Sequence, residues 1–141
     1  MIRIVADTNV LISATFLDGD SNKIIEKVEK KELGLLMSKE ILGEFSNVLG
    51  YKEIQDKIKN ENLEVKRTIE KIASLSVFAE PQEKFKIIIE DPDDDKFLDC
   101  AVAGKAGFII SKDKHLLKLK EFKGIKIVKP DEFLRVIGAN E

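Results

Sequence analysis

Short runs of apolar residues alternate along the chain with longer segments in which apolar residues recur every three or four positions. The short runs are typical of buried strands, and the longer spacing is typical of amphipathic helices. The runs that predict core strands are Ile2–Ala6, Leu33–Met37, Phe108–Ile110 and Ile125–Val128. Each of them is followed by at least one predicted helix. This alternation predicts an α/β fold: a three-layer α/β/α sandwich with a parallel sheet of four or five strands and helices on both faces.

Residues that favour helix ends mark the boundaries of these predicted helices. Asp7, Ser38 and Asp113 each stand where a helix N-cap is expected. Pro130 suits the first position of the last helix, because its missing N–H is not needed there. Gly107 suits the residue just beyond the helix that precedes the third core strand. The helices should therefore begin directly at the carboxyl ends of the strands.

The middle of the chain is less regular. Residues 52–76 predict one or two amphipathic helices that are rich in both signs of charge. Val77–Glu80 and Phe85–Glu90 are short extended candidates on either side of Pro81. These segments add no further core strand to the prediction.

Length and composition indicate a folded globular protein. The 141 residues fit one domain spanning 1–141, and 43% of them are hydrophobic. The apolar runs are far shorter than a membrane span, so no membrane is expected as a partner. The single cysteine, Cys100, excludes an intrachain disulfide and suits a reducing cytoplasm, where we expect the protein to reside. Cys100 itself reads as a small buried apolar residue.

The charge is nearly balanced overall but not locally. The formal net charge is −2, without the basic excess that nucleic-acid-binding proteins often carry. Between Lys112 and Lys129, however, seven lysines and His115 stand against two acids. These lysines are either a solvated face or contacts for phosphate groups. His115 is expected to be a surface or packing residue.

Carboxylates stand where a site is expected in such a sheet. Asp7 follows the first strand directly, Asp113 lies three residues beyond Ile110, and Asp95 lies in the first turn of the helix before that strand. Ligands of open parallel sheets bind outside the carboxyl ends of the strands. Glu44 occupies an otherwise apolar helix face with no basic residue nearby on that face. A buried ionised Glu is costly unless it is paired or metal-bound.

Several carboxylates at one point repel each other, and a divalent cation would remove the conflict. Oxygen ligands of this kind suit Mg²⁺ or Mn²⁺. One histidine and one cysteine are too few for an ordinary zinc site. The cap interpretation stays open for each Asp taken alone, and of the neighbouring Asp93, Asp94 and Asp95 only one or two are expected to be ligands, with the spacing favouring Asp95.

Four segments in register resemble the PIN domain family. Val5–Val10 resembles the opening of PIN domains, Glu44 falls at the second acid, Asp91–Ala101 resembles the third-acid segment of a VapC-like subfamily, and Ile109–Leu117 resembles the final strand and fourth acid. The resemblance implies a ribonuclease that depends on Mg²⁺ or Mn²⁺. It also implies that the chain is either the toxin of a type II toxin–antitoxin pair, with a small antitoxin protein as partner, or a housekeeping RNA-processing nuclease.

The resemblance also assigns roles to residues of this chain. Asp7, Glu44, Asp95 and Asp113 become the catalytic and metal-binding acids, and Asp99 becomes a further ligand or a support for the ligands. Asn9 and Ser111 are expected to hold the carboxylates by hydrogen bonds. A homodimer built on helices of residues 20–76 is expected from the family and from the amphipathic stretch.

Two other classes of function compete with this interpretation. A phosphatase of the haloacid dehalogenase type also places an Asp after its first strand, but it needs a second Asp where this chain has Asn9. A PIN fold kept as a non-catalytic RNA- or protein-binding module is the other alternative. Such a module has no use for Glu44 within an apolar stripe, which favours the enzyme.

Overall fold

The computed structural model describes residues 1–16, 19–60 and 64–138. In chain order the elements are β1 (Ile2–Ala6), α1 (Thr8–Thr15), α2 (Gly19–Glu29), β2 (Leu33–Met37), α3 (Lys39–Leu49), α4 (Lys52–Asn60), α5 (Val65–Leu75), β3 (Ser76–Phe78), α6 (Asp95–Ala103), β4 (Phe108–Ile110), α7 (Lys114–Leu119), β5 (Glu121–Phe122), β6 (Ile125–Val128) and α8 (Pro130–Gly138). A single 3₁₀ turn, Pro92–Asp94, leads into α6. Within these ranges no helix combines the length and the apolar character needed to span a bilayer.

The sheet has the order β3-β2-β1-β4-β6-β5. Five strands, β3, β2, β1, β4 and β6, are parallel to one another. The two-residue β5 pairs antiparallel with β6 at the edge. The predicted α/β fold with a mainly parallel sheet is therefore confirmed. The extended candidate Phe85–Glu90 was wrong, because residues 79–91 form a connection without strand or helix. The other candidate, Val77–Glu80, corresponds to β3, which begins one residue earlier and ends two residues earlier than predicted.

Burial explains why β1 and β4 lie at the centre. Ile4 and Val5 of β1 and Ile109 and Ile110 of β4 have no exposed surface, since helices cover both faces of the sheet. The largest fully buried side chains are Phe45, Phe97 and Phe133. A parallel strand shifted by one residue would exchange its two faces, so this close packing fixes the register.

The carboxyl ends of β1, β4 and β6 lie side by side. Asp7 N–H donates to the carbonyl of Ile110 at 3.0 Å, and Ser111 N–H donates to the carbonyl of Val128 at 2.9 Å. The residues that follow these strands therefore meet at one edge. The predicted caps are confirmed there, because Asp7 accepts from Val10 N–H and Asp113 from His115 N–H, while Ser38 caps α3.

The helix before β4 ends earlier than predicted. It stops at Ala103 with Gly104 as its cap, and Gly107 instead donates its N–H to Arg3 at the start of the sheet. Close packing against β2 explains why the cap residue is a glycine. A Cβ at Gly104 would lie 2.5 Å from Cδ1 of the buried Leu36, so the helix end can approach β2 only with glycine there.

Candidate metal centre

A small acidic cleft of about 190 Å³ opens at the edge where β1 and β4 end. Its walls come from the starts of α1 and α6, from α3, and from the turn after β4. Six of its lining residues carry a carboxylate: Asp7, Glu44, Asp91, Asp93, Asp94 and Asp113. Of the acids expected at this edge from the sequence, the cleft contains Asp7, Glu44 and Asp113.

Three of the carboxylates of the cleft lie close to one another and to the imidazole of His115, which does not line the cleft itself. Donor atoms of Asp91, Asp94, Asp113 and His115 lie within 4.8 Å of one another. Opposite ligands of one Mg²⁺ are about 4.2 Å apart, since each Mg–O distance is about 2.1 Å. The group is thus slightly wider than a fully direct coordination shell, which fits a cation that keeps some water ligands.

Asp94 supplies the observation that tests this fit. Its Oδ2 is buried and has no hydrogen-bond partner among the described residues. A buried carboxylate oxygen without a partner is costly. A divalent cation coordinated by oxygen would satisfy it, and the neighbouring carboxylates of Asp91 and Asp113 are the ligands that Mg²⁺ and Mn²⁺ prefer. The residues present therefore fit such an ion.

Electrostatics in the cleft lead to the same conclusion. Burial, followed by the charges of Asp113 and Asp91, raises the pKa of Asp94 to about 8. Without a cation, the cleft holds a proton on Asp94 because another negative charge there is too costly. The imidazole of His115 is a less favoured ligand for Mg²⁺ than a carboxylate. Its Nε2 lies 3.2 Å from Glu90 Oε2, and its Nδ1 lies 3.5 Å from Asp113 Oδ1.

Asp7 is held rigidly between two elements. Its Oδ1 accepts from Val10 N–H at 2.9 Å, and its Oδ2 accepts from Lys112 N–H at 3.0 Å and from the hydroxyl of Ser111. Burial raises the pKa of Asp7, although these three hydrogen bonds oppose that effect. A carboxylate offers about four acceptor positions, so one remains after these bonds. Asp7 therefore fastens α1 to the turn after β4 while it borders the cleft.

Glu44 is not the unpaired acid that the sequence suggested. Its carboxylate accepts from the hydroxyl of Thr8 and forms an ion pair with Lys96 of α6. The expectation that Glu44 has no basic partner was wrong, because Lys96 reaches it from another helix, 52 residues away in sequence. Glu44 nevertheless lines the cleft, where the resemblance to PIN domains implies the second acid.

Asp95 and Asp99 lie outside the cleft. Oδ1 of Asp95 accepts from Ile87 N–H at 3.1 Å and from Ile88 N–H at 3.0 Å, and Oδ1 of Asp99 accepts from Phe85 N–H at 2.8 Å. Both acids line a separate groove of about 350 Å³. The structure thus does not bring these two predicted ligands together with Asp7, Glu44 and Asp113. They fasten the 79–91 connection that delivers Asp91.

The two predicted supporting residues differ in their contacts. The hydroxyl of Ser111 donates to Asp7 and accepts from Asp113 N–H at 2.9 Å, so it joins two of the acids. Asn9 is exposed and lines the cleft. In the described part of the chain, no hydrogen bond joins its side chain to a carboxylate.

Asp91 and Asp94 are the site residues that sequence reasoning did not assign. They are three residues apart, which is one turn of a 3₁₀ helix, and Asp94 N–H donates to the carbonyl of Asp91 at 3.0 Å. Pro92 between them was a signal for such a turn, because proline is favoured at the start of a helix. No comparable signal in the sequence pointed to Lys96 or Thr8.

The fold and the cleft define an α/β protein with an acidic site at the carboxyl edge of a parallel sheet. A family model described as PIN domain matches residues 3–115. The chain belongs to the PIN domain family. A search of curated proteins found no match.

Among solved structures, the chain resembles one described as VapBC2 from Rickettsia felis bound to a DNA fragment from their promoter. The TM-score is 0.59 at 13% sequence identity, and the match covers 89% of this chain and 97% of the other. At this identity the likeness concerns the fold.

Proposed function

We propose that the chain is a metal-dependent endoribonuclease that hydrolyses phosphodiester bonds of RNA with Mg²⁺ or Mn²⁺. The observation that carries the proposal is the unpartnered, buried Oδ2 of Asp94 beside the carboxylates of Asp91 and Asp113. Membership of the PIN domain family supports it, because PIN domains are typically nucleases.

In this proposal Asp91, Asp94 and Asp113 hold the ion, and Asp7 and Glu44 complete the acidic wall. Asp94 is thus the metal ligand in place of Asp95, which was the ligand expected from the sequence. The chemistry that a bound Mg²⁺ or Mn²⁺ supplies is charge to offset the scissile phosphate and activation of a water molecule. Without that positive charge the carboxylates would repel a phosphodiester.

The remaining residues position these acids. Ser111 links Asp7 to the backbone of Asp113, so the carboxyl ends of β1 and β4 move as one unit. Lys96 offsets the charge of Glu44. Asp95 and Asp99 hold the backbone that delivers Asp91. Such fixed positioning lowers the reorganisation needed at the moment of reaction.

The family and the structural neighbour support a proposal for the biological role. The VapBC2 protein is described as bound to a DNA fragment from its own promoter, and we propose that this chain is likewise the toxin of a pair with a small antitoxin. Growth arrest on expression would support a toxin, whereas unaffected growth would favour a housekeeping RNA-processing nuclease. The homodimer and the cytoplasmic location stay predictions.

We expect the purified chain to cleave single-stranded RNA with Mg²⁺ or Mn²⁺ and to lose that activity in EDTA. The physical reason is the repulsion between the cleft and phosphate when no cation is present. Product formation on labelled RNA in the three buffers checks it. A site variant purified in the same way controls for contaminating ribonuclease. Cleavage that persists unchanged in EDTA would contradict the metal mechanism.

We also expect the metal-free protein to lose stability as pH rises, because of Asp94. Its pKa in the folded chain is about 8, above the ordinary value of 3.8, so the folded state holds this proton more tightly than the unfolded chain does. Above about pH 4 the unfolded chain has released this proton while the folded chain still holds it, so the free energy of unfolding falls as pH rises. The fall ends near pH 8, where the folded chain also releases the proton. After solvent screening, the loss is on the order of 1–3 kcal/mol.

The measurement is the melting temperature in EDTA from pH 5 to pH 9 for the parent and for Asp94→Asn. The variant has no carboxyl group to titrate there, so its advantage over the parent should grow up to about pH 8. Asp93→Asn, which changes an exposed neighbouring acid, is the matched control. A parent and an Asp94→Asn variant that respond identically to pH would contradict the prediction.

A further inference from the structure

A second cavity, of about 290 Å³, lies at the same edge of the sheet as the acidic cleft. It is enclosed by the starts of α2 and α8 and by the turn after β4. Ser21, Lys112 and Lys129 line it, together with Asp20, Pro130 and Asp131. None of the six carboxylates of the cleft belongs to it, so it is a separate feature.

Two helix N-termini meet at this cavity. α2 has 11 residues and α8 has 9, and both begin with residues that line the cavity. The first N–H groups of a helix have no partner within it, and the helix dipole is positive at that end, so such ends attract anions. At α8 the preceding residue is Lys129, whose side chain has no acceptor with which to cap the helix.

The hydroxyl of Ser21 is the independent observation that points to a ligand. Ser21 is 1% exposed, and its Oγ has no hydrogen-bond partner among the described residues. A buried hydroxyl without a partner costs free energy, and native structures rarely keep one without a reason. Because Ser21 lines the cavity, an acceptor bound there would satisfy its O–H. A phosphate oxygen is such an acceptor.

The lysines supply the complementary charge. Lys112 Nζ donates to Ser13 Oγ at 2.7 Å, which leaves it further N–H donors. Neither Lys112 nor Lys129 takes part in an ion pair within residues 1–16, 19–60 and 64–138. Both ammonium groups therefore keep their charge available to an anion.

Two acids on the cavity wall have cations of their own. Asp20 Oδ1 lies 3.8 Å from Lys23 Nζ, and Asp131 Oδ2 lies 3.6 Å from Arg135 on the next turn of α8. These pairs are exposed and weak, yet they place a positive charge beside each carboxylate. The acids therefore oppose an anion less than isolated carboxylates would.

Lys112 connects this cavity to the acidic cleft. Its backbone N–H donates to Oδ2 of Asp7 at 3.0 Å, and the residue also lines the cavity. The cleft lies beyond the ends of β1 and β4, and the cavity lies beyond the ends of β4 and β6, which are the next pair of parallel strands. Strands are spaced about 4.8 Å apart, so a nucleic-acid chain can follow this edge from one to the other.

We propose that this cavity is a phosphate subsite that holds the RNA backbone next to the scissile phosphodiester. The ligand is one phosphate group, bound by the N–H groups of α2 and α8, the hydroxyl of Ser21 and the ammonium groups of Lys112 and Lys129. The inference rests on the proposed ribonuclease function for the identity of the chain that carries the phosphate.

The first test compares two lysines that differ only in their relation to the cavity. Lys129→Met removes a cavity charge, and Lys126→Met removes an exposed charge from β6, three residues away in sequence and outside the cavity lining. Binding of a fluorescent single-stranded RNA is measured by anisotropy in EDTA at several salt concentrations. We expect Lys129→Met to weaken binding about five- to tenfold and to lower the salt slope by about one, with a smaller effect for Lys126→Met. Equal effects of the two variants would overturn the subsite.

The second test uses inorganic phosphate and Ser21→Ala. Titration of the full chain with phosphate, followed by amide NMR shifts, should move the N–H signals of Ser21 and Asp131. In Ser21→Ala the phosphate affinity should fall at least about threefold, while the melting temperature stays the same or rises, since an unpaired buried hydroxyl has been removed. Phosphate shifts scattered over the surface, or an unchanged affinity in Ser21→Ala, would overturn the proposal.

These tests separate the subsite from the nuclease activity, because both are made without metal and without cleavage. A chain that binds RNA through Lys129 but never cleaves it would refute the proposed function and support the subsite. A chain that cleaves RNA, with Lys129→Met and Ser21→Ala binding RNA like the parent, would overturn the subsite and leave the function standing.

Discussion

Asp94→Asn should lower Mg²⁺-dependent RNA cleavage by on the order of 100-fold or more, whereas Asp95→Asn should lower it less than about tenfold. The two acids are adjacent in sequence and equally buried, at 7% and 8% exposed. They differ only in what their carboxylates face. The pair is therefore a sharp test of which acid belongs to the metal centre.

The expected difference follows from their contacts. Asp94 turns an unpartnered oxygen toward Asp91 and Asp113, and an amide there removes a charge from the proposed ligands. Asp95 receives two backbone N–H groups on Oδ1, an arrangement that the carbonyl of Asn can keep. The first substitution should thus remove metal binding, and the second should preserve the 79–91 connection.

Cleavage rates and Mg²⁺ affinity of both variants check this, with melting temperatures as the control for folding. Asp94→Asn should melt no lower than the parent in EDTA near pH 8, so lost activity could not be attributed to unfolding. An inactive Asp95→Asn beside a fully active Asp94→Asn would contradict the assignment of Asp94 to the metal centre. Asp95, the ligand expected from the sequence, would then take its place.

Phe97→Ala should reduce the free energy of unfolding by about 3–5 kcal/mol, which is the largest stability effect that we expect. Phe97 is 1% exposed and lines the acidic cleft from α6, directly after the residues that position the acids. Truncation leaves a cavity that close-packed neighbours fill only in part. A loss of this size is a large fraction of the total stability of a small protein.

Phe78→Ala is the matched control, because it makes the same change at a side chain that is 51% exposed on the edge strand. Its cost should stay below about 1 kcal/mol, since little apolar surface returns to water. Urea unfolding followed by circular dichroism measures both. Similar losses for the two variants would contradict the burial of Phe97 and the position of α6.

The strands and helix starts of this protein were predictable because their signals are local. Ile2–Ala6 and Leu33–Met37 are mainly apolar runs followed directly by a helix-capping residue, and the structure keeps both ranges unchanged. Asp7, Ser38 and Asp113 cap helices through bonds to residues two or three positions further on. Neighbours in sequence decide such features, so no knowledge of the rest of the fold is needed.

The position of the acidic site was also predictable, because the carboxyl ends of neighbouring parallel strands lie at the same edge of the sheet. Asp7 follows β1 and Asp113 follows the turn after β4, and the parallel pairing of these strands brings both to one edge. Glu44 was assigned to the same site by the family resemblance and by its place in an apolar helix face, and it lines the cleft. The family resemblance assigned the same acids, and the match to the PIN domain model confirms the family.

Choosing among Asp93, Asp94 and Asp95 required the tertiary structure. Successive helical residues point about 100° apart, so a small change in where the helix begins decides which acid faces the cleft. The 3₁₀ turn at Pro92–Asp94 sets that angle, and the packing of α6 against the sheet fixes it. A local pattern shows that an acid will be present without showing which one.

The contacts between distant residues were likewise decided by the fold alone. Lys96 reaches Glu44 across 52 residues, and Thr8 reaches the same carboxylate across 36. The hydroxyl of Ser21 is buried where α2 packs near α8, and no described residue forms a hydrogen bond with it. The amino-acid sequence sets the elements and their order through nearest-neighbour chemistry. Which polar groups become paired, and which stay unpaired, depends on how the helices pack against the sheet.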